Sequence, residues 1–219
     1  MGSVFGDIGE ILFPSLGFET WNEISIINLV TEIIKISTRP LILIDGIAGS
    51  GKTTLAISLG DILKADIVST DDVCWCADII NWDEEMLKGI IYPWLEVKYV
   101  SYKPSGWIKE NRQGFIEVDA KKPLIIEGMG ACRKEMREVA SYSIWIDTES
   151  DIARSRLISR DLPAGVNGET IESIIKFADW WDSMMHPFLI KEEPWKYTNI
   201  IINGFLSDSN KLYIIKNFD

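Results

Sequence analysis

The sequence predicts an α/β fold: a parallel sheet of five strands with helices packed on both of its faces. Two observations indicate this fold class. Short apolar runs alternate with helical stretches, at 41–45, 66–69, 124–127, 143–147 and 199–202, and such runs are typical of parallel strands buried on both faces. A glycine-rich segment joins the first run to a helix. With 219 residues, the chain is long enough for one such domain and its core.

Residues 1–40 are interpreted as an N-terminal extension, and residues 41–219 as the domain that carries the sheet. Thr20 and Glu23 have the spacing of a capping box, and isoleucines follow at helical spacing. These signals predict an amphipathic helix from about residue 20 to 36. It would pack on the sheet or on a neighbouring subunit, and the second alternative would make the protein a homo-oligomer.

Residues 46–53 form a complete phosphate-binding loop between the first strand and a helix. Its glycines let backbone N–H groups point at phosphate oxygens, and the helix N-terminus adds its positive dipole end. Lys52 would reach the β- and γ-phosphates, and the Thr53 hydroxyl would ligate Mg²⁺. A glycine-rich turn without ligand is the alternative, but it would give the lysine no purpose in packing. The sequence therefore predicts a P-loop NTPase-type fold that binds ATP or GTP with Mg²⁺. The predicted nucleotide-binding residues are Gly46, Ile47, Ala48, Gly49, Ser50, Gly51, Lys52, Thr53 and Thr54.

Carboxylates follow two further strands, at the sheet edge where such folds bind ligands. Asp71 comes after the second strand, so it is a candidate base for the hydroxyl of a phosphoryl acceptor. It could instead cap the next helix. Glu127 ends the third strand, where it could hold Mg²⁺ directly or through water, or form a structural ion pair.

After the fourth strand, residues 151–168 predict a helix and then a mobile loop, which together are typical of a lid. Arg156 and Arg160 lie four residues apart on one face of this helix. Two guanidinium groups placed in this way could neutralise the charge of a phosphoryl group during transfer. A solvated helical face with local ion pairs is the alternative.

Residues 73–122 interrupt the alternation of strands and helices and are rich in aromatic side chains. They are interpreted as an insert on the acceptor side, with a hairpin whose turn is formed by residues 103–106. Rings such as Trp75 and Trp107 could stack on a planar acceptor. Ordinary core packing would also account for most of these rings.

Composition narrows the range of partners and locations. A net charge of −11 without a basic stripe argues against nucleic acid. No apolar run approaches the length of a membrane span, and the first residues lack the basic start of a signal peptide, so we expect a cytoplasmic protein without a membrane partner. Cys74, Cys76 and Cys132 form neither a disulfide framework nor a complete zinc site. His186 lies among aromatic and apolar residues, which favours a packing or capping role.

In the order of its motifs the chain resembles the uridine kinase family, within the larger group of P-loop kinases that includes nicotinamide riboside kinase and phosphoribulokinase. The resemblance covers about residues 41 to 205. Besides the phosphate loop, it is carried by Ser69-Thr70-Asp71-Asp72, Tyr99-Val100-Ser101-Tyr102, Leu124-Ile125-Ile126-Glu127-Gly128, Ser155-Arg156-Leu157-Ile158-Ser159-Arg160-Asp161 and the last strand at 196–204.

The resemblance implies a role for each of these segments. Asp71 would be the catalytic base, the segment from Tyr99 to Tyr102 would contact a nucleoside, and Glu127 would be linked to Mg²⁺. The two arginines of the 155–161 segment would belong to the lid. The chain departs from the family at Val73-Cys74, where an aromatic pair is common, and at Tyr102, where the family places a base-contacting histidine. Arg154 is out of register with the lid pattern and is left out of the catalytic set.

These inferences converge on a magnesium-dependent kinase that moves the γ-phosphoryl group of ATP or GTP to a hydroxyl of a nucleoside-like or aromatic small molecule. The predicted catalytic residues are Lys52, Asp71, Arg156 and Arg160. The predicted metal ligands are Thr53, Asp71 and Glu127. The predicted acceptor-binding residues are Asp71, Asp72, Trp75, Tyr99, Tyr102, Trp107 and Glu127.

Two other functions stay open at this point. A nucleoside monophosphate kinase would need basic groups to hold the acceptor's phosphate. The basic residues of the 73–107 segment are only Lys88, Lys98 and Lys103, which disfavours this function. A nucleotide-dependent binding or sensor protein would use the same phosphate loop without catalysis.

Overall fold

The computed structural model describes residues 21–78, 80–204 and 211–216. Its strands are β1 (Asn22–Ser25), β2 (Leu41–Gly46), β3 (Asp66–Ser69), β4 (Val100–Tyr102), β5 (Ile116–Val118), β6 (Leu124–Glu127), β7 (Tyr142–Asp147), β8 (Ile200–Asn203) and β9 (Lys211–Lys216). Its α-helices are α1 (Ile26–Ile36), α2 (Lys52–Leu63), α3 (Thr70–Cys74), α4 (Asp83–Met86), α5 (Tyr92–Leu95), α6 (Ser105–Lys109), α7 (Lys134–Arg137), α8 (Ser150–Ala164) and α9 (Ile171–Glu192). A π-helical turn, Leu87–Ile91, joins α4 to α5, and a short 3₁₀ helix, Pro194–Lys196, follows α9.

The five predicted strands form a parallel sheet in the order β3-β6-β2-β7-β8. The expectation of five strands is nevertheless wrong for the whole sheet, which has seven in the described residues. At its far edge, β9 pairs antiparallel with β8, and β1 pairs antiparallel with β9. The added strands shield β8 from solvent, and they leave the ligand-binding edge at β2, β3 and β6 unchanged.

The central strand β2 is buried along its whole length, because both faces of the sheet are covered. Ile42 and Ile44 pack into one cluster with apolar residues of α1 and α2. Leu41 and Leu43 pack into a second cluster with the segment between β3 and β6. Continuous apolar runs in the sequence reflect this two-sided burial.

The N-terminal part of the described chain differs from its prediction. A strand occupies Asn22–Ser25, and α1 begins only at Ile26, with the Ser25 hydroxyl accepting a hydrogen bond from the Asn28 N–H at 3.2 Å. Glu23 therefore lies in β1 rather than in a helical first turn, and Thr20 lies outside the described residues. Pairing with β9, almost 190 residues away in the chain, outweighs the local capping signal.

The insert contains the short antiparallel pair β4–β5. The predicted turn at 103–106 is wrong, since helix α6 begins at Ser105 and separates the two strands. The core of the insert is aromatic: Trp82, Trp94 and Trp107 are buried there. The Trp94 indole N–H donates to the Lys122 carbonyl at 3.0 Å, and the Arg39 guanidinium lies 4.2 Å from its ring centroid.

Helices α8 and α9 pack against each other beside the phosphate loop and are joined by the short loop 165–170. Gly165 ends α8 with φ +62°, a left-handed conformation that suits glycine. Thr170 and Ser173 form a capping box at the start of α9. The Arg154 guanidinium bridges the pair through Asp179 at 2.8 Å and Asp182 at 3.0 Å. In the part of the chain that the structure describes, none of these helices is long and apolar enough to cross a membrane.

We predict that Trp94→Ala lowers the free energy of unfolding by about 3–5 kcal/mol, because it empties a buried site and removes the Lys122 hydrogen bond. Urea denaturation followed by circular dichroism measures the change. Phe115→Ala, at a ring that is 57% exposed in the same insert, is the control and should change stability by less than about 1 kcal/mol. Equal losses in the two variants would contradict an aromatic core centred on Trp94.

Candidate active site

A cavity of about 540 Å³ opens at the carboxyl ends of β3 and β6, above the N-terminus of α2. Side chains and backbone from five segments of the chain line it. The lining residues are Ala48, Gly49, Lys52, Thr53, Asp71, Cys74, Trp75, Cys76, Glu127, Gly128, Met129, Leu157, Arg160, Asn167, Phe177, Ala178, Trp180 and Trp181. This position is where parallel α/β sheets bind their ligands.

The phosphate loop has the strained backbone that its glycines permit. Gly46, Gly49 and Gly51 have φ values of +151°, +81° and +105°. Gly51 is the N-cap of α2, and no side chain caps this helix. Lys52 and Thr53, in the first turn of α2, line the cavity, so the start of this helix faces open space. An uncapped helix N-terminus facing open space is a suitable place for an anion.

Four of the predicted nucleotide-binding residues line the cavity itself: Ala48, Gly49, Lys52 and Thr53. The rest of that set completes the same loop and the first turn of α2 without lining the cavity, namely Gly46, Ile47, Ser50, Gly51 and Thr54.

The Lys52 amine lies across the loop and donates hydrogen bonds to the carbonyls of Gly46 at 3.0 Å and Ile47 at 2.9 Å. Burial lowers the pKa of Lys52, and the nearby carboxylates of Asp45, Glu127 and Asp71 act in the opposite direction. The ammonium is thus held in a partly desolvated place by three acidic groups and two carbonyls. A phosphate oxygen, which carries more negative charge than a carbonyl oxygen, would interact more strongly with this ammonium.

Asp45, to which the sequence analysis assigned no role, organises the floor of the site. Its buried carboxylate accepts hydrogen bonds from the backbone N–H groups of Gly46 at 2.7 Å, Gly130 at 3.0 Å and Cys132 at 2.8 Å. Burial raises the pKa of Asp45, and the three N–H groups and Lys52 oppose that rise. The available signal was a carboxylate at the end of an otherwise apolar strand, directly before the loop.

Thr53 and Glu127 meet at the edge of the cavity, where the Thr53 hydroxyl donates to Glu127 Oε2 at 3.3 Å. Glu127 is only 6% exposed, and burial raises its pKa against the opposing charge of Lys52. A hydroxyl and a carboxylate that converge in this way are oxygen donors suited to Mg²⁺. Among the described residues no group of three or more His, Cys, Asp or Glu side chains could hold a metal by itself. The donor set therefore fits Mg²⁺ bound jointly with phosphate oxygens, which is the usual arrangement for this ion.

Asp71 lies in the first turn of α3 and lines the cavity. The helix is capped by Ser69, whose hydroxyl accepts from the Asp71 N–H at 3.3 Å, so the Asp71 carboxylate is not needed as the cap. Asp72 instead forms an ion pair with Arg112 at 3.1 Å. Asp72 does not line the cavity, which corrects its predicted place in the acceptor pocket.

Only one of the two predicted lid arginines lines the cavity. Arg160 lines the cavity, and its Nε donates to Asp161 Oδ1 at 2.6 Å. Arg156 does not line it, because its guanidinium donates to the Gly204 carbonyl at 2.8 Å. Helix α8 is packed directly on the loop, since a Cβ atom at Gly49 would lie 2.1 Å from the Ala153 carbonyl oxygen.

Of the aromatic residues predicted to contact the acceptor, Trp75 lines the cavity, whereas Tyr99, Tyr102 and Trp107 do not. Tyr99 is largely exposed on the insert. The Tyr102 hydroxyl donates to Glu85 at 3.1 Å. The buried Trp107 donates its indole N–H to the Asp72 carbonyl at 2.7 Å. These three positions are corrected: all three belong to the insert outside the cavity, and the buried Trp107 fits the core-packing alternative.

The aromatic lining that sequence reasoning missed comes from α9. Phe177, Trp180 and Trp181 line the cavity. The adjacent tryptophans were visible in the sequence, but they were considered only as the surroundings of His186. That histidine does not line the cavity, and its Nε2 atom is buried without a hydrogen-bond partner among the described residues.

A further acid, the partly buried Asp147, ends β7 next to the phosphate loop without lining the cavity. Burial, reinforced by the charge of Glu149, raises the pKa of Asp147 to about 6 from its ordinary value of 3.8. The folded protein thus favours the neutral carboxyl. Its contribution to the free energy of unfolding is therefore greatest below its ordinary pKa of 3.8. That contribution is lost as the pH rises through about 6, because the folded protein must then ionise this carboxyl.

No model of a known protein family matches the chain, and no curated protein matches it in sequence. Solved structures do match. A possible uridine kinase from Bacillus stearothermophilus is 21% identical, with a TM-score of 0.50 over 80% of this chain and 95% of that one. Shikimate kinase from Bacteroides thetaiotaomicron is 17% identical, with a TM-score of 0.37 over 75% and 86% of the two chains. The first of these likenesses shows that the chain has the fold of P-loop kinases.

We predict that Asp147→Asn raises the free energy of unfolding at pH 8, by up to about 3 kcal/mol, because it removes the cost of ionising a partly buried carboxyl. At pH 4 the gain should be less than about 1 kcal/mol, since the folded wild-type protein is neutral there. Urea denaturation at both pH values measures it, with the exposed Asp61→Asn as the control. A gain that is the same at both pH values would contradict this prediction.

Proposed function

We propose that the protein is an ATP- or GTP-dependent kinase that transfers the γ-phosphoryl group to a hydroxyl of a nucleoside-like or aromatic small molecule. One observation carries the proposal: Lys52, Thr53, Asp71, Glu127 and Arg160 line a single cavity at the mouth of the phosphate loop. These residues supply a phosphate contact, a metal site, a base and a cation for the transferring group. The P-loop kinase fold supports the same reaction class.

The loop binds the triphosphate through its backbone N–H groups and the uncapped start of α2. Lys52 exchanges the carbonyls of Gly46 and Ile47 for oxygens of the β- and γ-phosphates. Thr53 and Glu127 hold Mg²⁺, with Asp71 close enough to influence Glu127 electrostatically. When bound, this ion neutralises charge on the β- and γ-phosphoryl groups.

Asp71 acts on the acceptor. Its carboxylate accepts the proton of the acceptor's hydroxyl while that oxygen forms a bond to the γ-phosphorus. The bond between the γ-phosphorus and the bridging oxygen breaks, and the nucleoside diphosphate leaves with the electron pair. Arg160 offsets the negative charge on the transferring group. Arg156 is left out of this set, because it is engaged with Gly204.

The charge of the cavity separates the proposed reaction from that of a nucleoside monophosphate kinase. Among the described residues that line it, Lys52 and Arg160 are the cationic ones, and Lys52 is electrostatically coupled to Arg160, Asp71 and Glu127. In the proposed reaction both cations contact the phosphate groups of the nucleotide. An acceptor that already bears a phosphate would find no further cation, so we propose an acceptor without one. The resemblance to uridine kinases motivates the nucleoside-like part of the proposal, and a cytoplasmic location stays a prediction.

We predict that Asp71→Asn lowers kcat by at least about a hundredfold, because the amide cannot accept the hydroxyl proton. The affinity for nucleotide should change by less than about threefold. Transfer of labelled phosphate to a panel of nucleosides and aromatic alcohols, together with fluorescence titration of a labelled ATP analogue, measures the two quantities.

Asp72→Asn is the matched control for this experiment: it makes the same substitution one residue later, at a carboxylate paired with Arg112 outside the cavity. It should retain kcat within about fivefold. Unchanged turnover in Asp71→Asn would contradict the role of Asp71 as the base. No transfer by the wild-type protein to any acceptor, with nucleotide binding kept, would instead support a binding or sensor protein.

A further inference from the structure

Helix α9 presents a row of aromatic rings to the cavity. The ring centroids of Phe177 and Trp180 lie 5.6 Å apart, and those of Trp180 and Trp181 lie 6.2 Å apart, with tilted planes in both pairs. Trp180 remains 49% exposed although it lines the cavity. A large ring left open at the wall of a cavity is a surface that an apolar ligand would cover.

A fourth ring, Trp75, reaches the same cavity from the end of α3 and is held firmly in place. The backbone of Gly106 packs closely on the backbone of Trp75, since a Cβ atom at Gly106 would lie 1.8 Å from the Trp75 carbonyl oxygen. The Arg112 guanidinium lies 5.3 Å from the Trp75 ring centroid and 3.7 Å from that of Trp107. Trp75 is 41% exposed, so part of its side chain remains open for a ligand to cover.

Apart from its four charged residues, the lining of the cavity is mostly apolar. Its charged lining residues all belong to the phosphate-transfer group described above. The remaining lining includes Cys74, Cys76, Met129 and Ala178, and Asn167 is its one side-chain amide among the described residues. A ring with several carbonyl and N–H groups would lose water there without gaining matching partners, which is costly.

From this arrangement we infer that the acceptor is an aromatic alcohol with an otherwise apolar ring, bound by stacking on Trp75 and on the α9 row, rather than a nucleoside read through the polar edge of its base. The inference rests on the proposed function, because it places the reacting hydroxyl at Asp71. In this inference Trp180 determines which acceptor the site selects. Its side chain is the most exposed of the three α9 rings and therefore has the most surface for an acceptor to cover.

The test uses indole-3-ethanol and uridine as probes with the full chain, Mg²⁺ and a non-hydrolysable ATP analogue. Isothermal titration should give a Kd for indole-3-ethanol at least about tenfold lower than for uridine. Trp180→Ala should weaken the binding of indole-3-ethanol by about tenfold or more, as the loss of a stacking partner does. Trp180→Phe should restore most of it. Phe115→Ala, at an exposed ring outside the cavity, should leave it unchanged.

Labelled-phosphate transfer then separates this inference from the proposed function. Preferential transfer to indole-3-ethanol supports both. Transfer to uridine that equals or exceeds it, with no dependence on Trp180, overturns the inference and leaves the kinase standing. Tight, Trp180-dependent binding of indole-3-ethanol without transfer to any probe supports the aromatic site and counts against the kinase. Because Trp180 is half exposed, circular dichroism should show that Trp180→Ala is folded.

Discussion

The site depends on one electrostatic constraint: a desolvated ammonium must be balanced by nearby carboxylates, of which Asp45 and Glu127 are themselves buried. Lys52 occupies the centre of the phosphate loop, and the charges of Asp45, Glu127 and Asp71 offset the cost of its burial. Of these, Asp45 is held most firmly, by three backbone N–H groups. Since two of those groups come from the segment after β6, the same carboxylate joins the phosphate loop to the strand that carries Glu127.

Close backbone packing keeps this balance in place. The Thr148 hydroxyl donates to the Ser50 carbonyl at 3.1 Å, and a Cβ atom at Gly204 would lie 1.7 Å from that hydroxyl oxygen. The loop is therefore held between the ends of β7 and β8, while α8 packs on it at Gly49. Arg156 contributes to this support through Gly204. A site held from several sides can aim N–H groups at a ligand without a large entropic cost when the ligand binds.

The parts that sequence reasoning predicted well are those whose signal is local. The five parallel strands are short apolar runs, and the loop from Gly46 to Thr53 is a contiguous motif, so neither depends on distant residues. Strand β1 was missed because its partner β9 lies at the other end of the chain, and no local pattern encodes that pairing. Tyr99 and Tyr102 were placed at the acceptor through a resemblance of order, which says nothing about where a side chain points. The α9 rings were missed for the converse reason: only the fold brings Trp180 to Asp71's cavity.

The bridge from Arg154 to Asp179 and Asp182 has a consequence for how such a protein can change over evolution. It fastens the helix that bears Arg160 to the helix that bears the tryptophan pair. Selection for a larger or smaller acceptor would shift α9, and α8 would move with it because of these ion pairs. Acceptor selectivity and catalytic rate would then change together during evolution. A change of acceptor would require compensating substitutions around the Arg154 ion pairs.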